Sequence, residues 1–230
     1  MARGKLFTGV ASVVAFVVAL LACGLARADI VAVSVRGQVI QNLITTPPLN
    51  GASVGNTGVM SFTVDSNNFI DGIPGDLRSY PINQSSFALT FQPSGVTVGL
   101  ANPFPAGQTP YFTLVESFPV ADGFFVSTST TSPGGVPLSQ SPLQANLDLG
   151  YTGTTLSSLN ILNAFGTYNF NGLTRFGFNL WQTIPDNVRL DMDFQQMTIA
   201  PEPTAALALP ALAGLLASTR RVRKRVGSAR

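Results

Sequence analysis

The sequence predicts an all-β protein, an antiparallel β-sandwich of jelly-roll-like kind. Three observations lead there. Apolar residues alternate with polar ones in short runs between Val31 and Ile199. Turn-forming residues bound those runs at short intervals. Helical spacing occurs at one place only, Leu156, Leu159, Leu162 and Phe165, over a length that suits a turn or two. Roughly ten strands with hardly any helix close more readily as a sandwich than as α/β layers.

Taken in order, Val31, Val33 and Val35 alternate with small or polar residues, then Met60, Phe62 and Val64 do so after Gly51, Gly55 and Gly58. Asp71, Gly72, Pro74 and Gly75 end that second run. Phe87, Leu89 and Phe91 form a third, and Val96, Val98 and Leu100 a fourth, separated by Pro93, Ser94 and Gly95 in the manner of a tight hairpin. Further strands fit residues 111–116, 124–128, 144–151, 167–170 and 173–181. Asn171 and Gly172 predict a two-residue hairpin between the last two. In the final run Val188, Leu190, Met192 and Phe194 share one face, with Arg189, Asp191, Asp193 and Gln195 on the other. Met197 and Ile199 then resume the apolar set one residue out of phase, which predicts a β-bulge near Gln195 and Gln196. The Ser, Thr, Pro and Gly-rich stretch from Thr128 to Pro142 reads as a mobile loop.

The ends of the chain differ in character from this middle. Arg3 and Lys5 precede the apolar stretch from Val10 to Ala22, and Ala26, Arg27 and Ala28 make an A-x-A cleavage site before Asp29. Residues 1–28 therefore read as a secretory signal peptide for signal peptidase, with a signal helix. Leu20, Leu21, Ala22 and Cys23 offer the alternative of a lipobox. At the other end Pro201, Glu202 and Pro203 lead into an apolar segment, residues 205–219, and then into a basic stop, Arg220, Arg221, Arg223, Lys224 and Arg225. An apolar helix followed by clustered cations should stall in a bilayer with its arginines inside. At 1.5 Å per residue that segment covers only ~22 Å of a ~30 Å hydrocarbon core, and Pro210 interrupts it.

With both ends set aside, residues 29–199 form one domain with four arginines against nine aspartates and Glu116, a balance of 4 − 10 = −6. Such a body cannot neutralise a phosphate backbone, so nucleic acid is excluded as a partner. The chain has no His, and its single Cys lies in the signal region. A disulfide-free body must rest on an ordinary core. Serine and cysteine triads, imidazole proton shuttles, Schiff-base lysines and the usual zinc sites all lack their residues.

Carboxylate chemistry is what remains. Asp191 and Asp193 stand about 7 Å apart on one strand face, and Glu116 is the only glutamate of the body. Their alternation with Arg189 describes a solvated face rather than the apolar pocket of a general acid, and the expectation is that the body is not an enzyme. Asp65, Asn67, Asp71 and Asp76 fall at positions 1, 3, 7 and 12 of a calcium loop, but Phe69 and Ile70 occupy its middle. An Asx-rich turn is the plainer reading, and calcium is the one cofactor the pattern admits. Trp181, the sole tryptophan, could stack a sugar ring together with Tyr80, Tyr111, Tyr151 and Tyr168, or could lie in the core.

The order of Pro201, Glu202 and Pro203, the apolar run and the basic cluster resembles the PEP-CTERM sorting signal of exported bacterial proteins. The resemblance covers residues 200–230 and implies recognition and processing by an exosortase-type enzyme, transient membrane anchoring through a sorting helix, and residence in the envelope, at the cell surface or in the extracellular matrix. It implies no enzyme. Two functions are open: a structural or adhesive surface domain, or a module that binds extracellular polysaccharide, with a glycan-acting enzyme as the remoter form of the second.

Overall fold

The first and last strands lie side by side. β1 (Ile30–Asn42) and β13 (Arg189–Pro201) pair antiparallel along nearly their whole length, from Val31 opposite Pro201 to Asn42 opposite Leu190. The computed structural model describes residues 30–116, 121–182 and 188–202. The expected signal helix, the expected cleavage residues Ala26, Ala28 and Asp29, Pro203, the expected sorting helix and the basic cluster lie outside them.

Between the terminal strands run β2 (Thr57–Asp65), β3 (Ile70–Ile73), β4 (Leu77–Pro81), β5 (Ala88–Gln92), β6 (Val96–Val98), β7 (Tyr111–Val115), β8 (Asp122–Ser127), β9 (Val136–Pro137), β10 (Gln144–Tyr151), β11 (Gly166–Tyr168) and β12 (Leu173–Trp181). All belong to one antiparallel sheet in the order β3-β4-β7-β8-β10-β12-β13-β1-β2-β5-β6, with β11 beside β13 and β9 beside β10. The only helical turns among the described residues are 3-10, at Leu49–Gly51, Gln84–Ser86 and Ile161–Asn163. The protein is thus all-β and antiparallel.

The two packed sheets expected from the sequence take the form of one curled sheet. Its curl brings Val64 of β2 into an antiparallel bridge with Ile82, just past β4, and the Asn83 amide donates to the Thr63 carbonyl at 2.9 Å. Period-two strands with one apolar face must cover that face, and here the sheet covers its own. Val33, Val35, Phe62 and Phe91 from one half share a single core with Phe112, Phe124, Leu147 and Phe178 from the other. Ring contacts link Phe87, Phe62, Phe112, Phe124 and Tyr168 across it.

The predicted bulge is present. Arg36 pairs with Gln196 but Gly37 with Phe194, so Gln195 is the extra residue, and Phe194 and Met197 both stay buried. Other expectations change. Residues 70–81 form the hairpin β3–β4 instead of a plain turn. Asn171 and Gly172 do make a turn, with Gly172 at φ 77°, but no hairpin: β11 pairs with the second half of β13 and β12 with the first half. The Leu156–Phe165 stretch yields only the turn at Ile161–Asn163, whose start Asn160 caps by accepting from the Leu162 amide.

The segment read as a mobile loop is tied down at both ends. Ser79 donates to the Thr130 carbonyl at 3.4 Å, which draws the loop over the outer face of β4 and β7. Val136 and Leu138 are buried, β9 pairs with β10, and Leu100 bridges Leu138. Gly135 sits between at φ 73°, where a Cβ would stand 2.9 Å from the Ala145 carbonyl oxygen. No larger residue fits that crossing without displacement.

Candidate functional site

Register decides which side chains share the outer face of β10, β12 and β13. In β12, Phe178 and Leu180 point into the core, so Gly177, Asn179 and Trp181 point out; in β10 Ala145, Leu147 and Leu149 point in, so Gln144, Asn146 and Asp148 point out. Pairing then builds rows across three strands. Gln144, Trp181 and Arg189 make one row, and Asn146, Asn179 and Asp191 the next. Asp148 stands opposite Gly177 in the third.

A groove of about 390 Å³ follows these rows. Asn146, Asp148, Asn179, Trp181 and Arg189 line it, and Pro133 and Gly134 of the anchored loop form its wall. Its volume falls at the low end of the roughly 300–1,000 Å³ of small-molecule sites. Gly177 gives the Asn146 amide nitrogen room to lie over it, 3.2 Å from where a Cβ would stand.

The charged groups of the groove are already engaged. Arg189 Nε donates to Asp191 Oδ2 at 2.9 Å, and its Nη2 reaches Gln41 Oε1 at 3.4 Å. Arg175 Nη2 donates to Asp148 Oδ1 at 2.9 Å. The uncharged groups are not: among the described residues the carboxamides of Asn146 and Asn179 make no hydrogen bond, and the half-buried Trp181 ring meets no other aromatic ring or cation. An apolar plate beside two amides, each a donor and an acceptor, can grip a ligand that is itself a ring carrying hydroxyls.

Of the aromatic residues weighed from sequence, only Trp181 reaches this groove. Tyr80 is buried; its hydroxyl donates to the Leu159 carbonyl at 2.7 Å and accepts from the Ile161 amide at 3.0 Å. Burial and the nearby Tyr168 push the Tyr151 hydroxyl up to about 12, and burial raises Tyr80 and Tyr168 too. Tyr111 begins β7 opposite Pro81 and Ser127, away from the groove.

The calcium-loop residues each have a local hydrogen-bond partner. Asp65 accepts from the Asn67 amide at 2.8 Å, an Asx turn. Asp71 receives Arg78 at 2.6 and 3.1 Å, and the Asp76 amide donates to the Ile73 carbonyl. Among the described residues no three His, Cys, Asp or Glu side chains gather as a metal site would need. Asp191 and Asp193 both face outward as their alternation implied, Asp191 against Arg189 and Asp193 exposed. Glu116, whose amide donates to the Asp76 carbonyl, follows β7. Of the residues read as a sorting motif, Pro201 ends β13, and the Glu202 amide donates to the Ile30 carbonyl at 3.1 Å. No helix among the described residues is long and apolar enough to cross a membrane.

Asn146, Asp148, Asn179 and Arg189 went unrecognised as a group in the sequence. Polar alternation at Gln144, Asn146 and Asp148 was the available signal, but only the pairing of β10 with β12 places those residues beside Trp181. Comparison with protein-family models, curated proteins and solved structures finds no match to this chain.

Proposed function

We propose that the protein is an exported surface or extracellular-matrix protein whose β body adheres to polysaccharide through the groove around Trp181. One observation carries the binding half: an indole face without a ring partner stands beside two carboxamides without hydrogen bonds, in a concave site. Carbohydrate ligands present apolar ring faces and vicinal hydroxyls, which suit that combination. The facing halves of the curled sheet, on this reading, amount to a jelly-roll-like sandwich that holds the groove on its outside.

The sorting half rests on sequence: an N-terminal signal with Ala26 and Ala28, the PEP motif at Pro201–Pro203, and the basic cluster from Arg220 to Arg225. Arg189 at the groove starts β13 and Pro201 ends it, and a 13-residue strand at ~3.3 Å per residue spans ~40 Å. A tail that anchors the protein beyond Glu202 would hold the groove at the pole away from the membrane.

Binding rather than turnover is the reading for the carboxylates. Asp148 and Asp191 each face an arginine, whereas a glycosidase acid needs apolar surroundings. Two measurements test the proposal. The purified protein should be retarded in gels containing a polysaccharide from a neutral panel, and Trp181→Ala should migrate freely in all of them; equal retardation of both would remove the groove. Mass spectrometry of exported protein should find a C-terminus near Thr204, and an intact Arg230 would remove the processing step.

A further inference from the structure

We infer that the groove selects an uncharged linear glycan, and that the ion pairs Arg189–Asp191 and Arg175–Asp148 are what turn acidic chains away. This rests on the polysaccharide-binding reading and names its ligand class.

The charges come first. A uronate or sulfate group is held well by a guanidinium free to offer its fork of N–H donors. Both guanidinia on this face direct a donor at a carboxylate 2.9 Å away. An anion taken on the remaining N–H donors of either arginine would sit beside Asp148 or Asp191, whose negative charge offsets the attraction. The body adds a broader field of the same sign, four arginines against ten carboxylates, which opposes the approach of a polyanion. What the groove offers without rearrangement is neutral: the Trp181 ring and the amides of Asn146 and Asn179.

The linear form follows from the rows. Trp181, Asn179 and Gly177 step along β12 at alternate positions, so the polar strip extends ~13 Å in the strand direction at ~3.3 Å per residue. At the end beside Asp148, Gly177 has no side chain and the Asn146 amide nitrogen lies over it. A chain lying along β12 can stack one ring on Trp181 and present hydroxyls of the following units to Asn179 and Asn146. A ligand of one ring could not reach both ends of it.

The test is calorimetric titration of the full chain, with Arg220, Arg221, Arg223, Lys224 and Arg225 replaced by Gln in every sample so that the basic cluster adds no anion site, against gluco-oligosaccharides and galacturonic-acid oligomers of matched length, at low and high salt. Neutral chains should bind, with affinity that rises from the monosaccharide to the longer oligomers and varies less than ~2-fold with salt, while the uronates bind at least ~10-fold more weakly. Asp191→Asn, which frees Arg189, should then gain at least ~5-fold in uronate affinity. That gain cannot come from a misfolded variant. Uronates binding the wild type as well as or better than neutral chains would overturn this inference and leave the polysaccharide-binding reading standing. Neither series binding, with Trp181→Ala titrating like the wild type, would take both down.

Discussion

Two places on the outer surface bring an aromatic ring, an arginine and a carboxylate together, and they differ in what is left over. On the β3–β4 hairpin Arg78 grips both oxygens of Asp71, lies 4.0 Å over the Phe69 ring, and Phe69 in turn meets Tyr80 at 5.9 Å. Each group there has its partner. In the groove Arg189 and Asp191 pair likewise, but Trp181, Asn146 and Asn179 remain unengaged and a cavity stands above them. Similar residue types thus serve local structure in one case and border an open groove in the other. Concavity and amides left to water separate the two.

The sharpest way to separate them is to remove a partner from the engaged side. Tyr80→Phe deletes the hydroxyl that serves both the Leu159 carbonyl and the Ile161 amide, leaving two buried backbone groups unmatched. Urea denaturation should register a loss of ~3 kcal/mol, with glycan affinity unchanged; a shift in affinity would mean the two regions are coupled.

Alkaline titration probes the same kind of engagement in the core. Tyr151 binds its proton more tightly when folded, up to about 12 against an ordinary 10.0, chiefly because it is buried. A raised value of this kind contributes fully below pH 10 and is lost as pH climbs from 10 to about 12. The loss should reach ~2–3 kcal/mol, so tyrosinate absorbance and unfolding should rise together. Tyrosine ionisation complete near pH 10 in a folded protein would contradict the burial.

On the groove side the order reverses. Asn146→Ala and Asn179→Ala should each weaken neutral-oligosaccharide binding by ~1 kcal/mol, about 5-fold, and leave stability within ~0.5 kcal/mol, because neither amide holds the fold. A stability loss without a binding loss would place these amides with the engaged groups. The smallest effect belongs to Asp71→Asn, an exposed pair that should cost under ~1 kcal/mol and less in high salt. Calcium should leave the melting curve where it is, since Arg78 holds the Asp71 carboxylate. A rise with calcium but not magnesium would restore the metal reading of Asp65, Asn67, Asp71 and Asp76.

Period-two patterning made the strands legible because one-sided burial writes itself into alternate residues. The phase slip between Phe194 and Met197 even located the bulge at Gln195. Pairing partners were not legible. Nothing in Asn171 and Gly172 says that β11 will join β13 rather than β12, and a Thr, Ser and Pro-rich segment gives no sign that Val136 and Leu138 will bury themselves beside β10. The groove depends on that unreadable layer. Trp181 stood out by being unique, while Asn146 and Asp148 became neighbours of it only through a register set by contacts some thirty-five residues apart in the chain. In the calcium-loop pattern Asp71 and Asp76 sit in a loop-like string, and only the strand pairing of Asp71 with Arg78 shows the partner that its carboxylate takes.

Because Trp181 is the only tryptophan, fluorescence excited on the red edge, clear of the four tyrosines, reports from the groove. Titration with a neutral gluco-oligosaccharide should shift the emission saturably and protect it from acrylamide quenching, and both responses should weaken about 5-fold in Asn179→Ala. Emission and quenching that stay unchanged across the whole glycan panel, in a protein that melts cooperatively, would contradict the account.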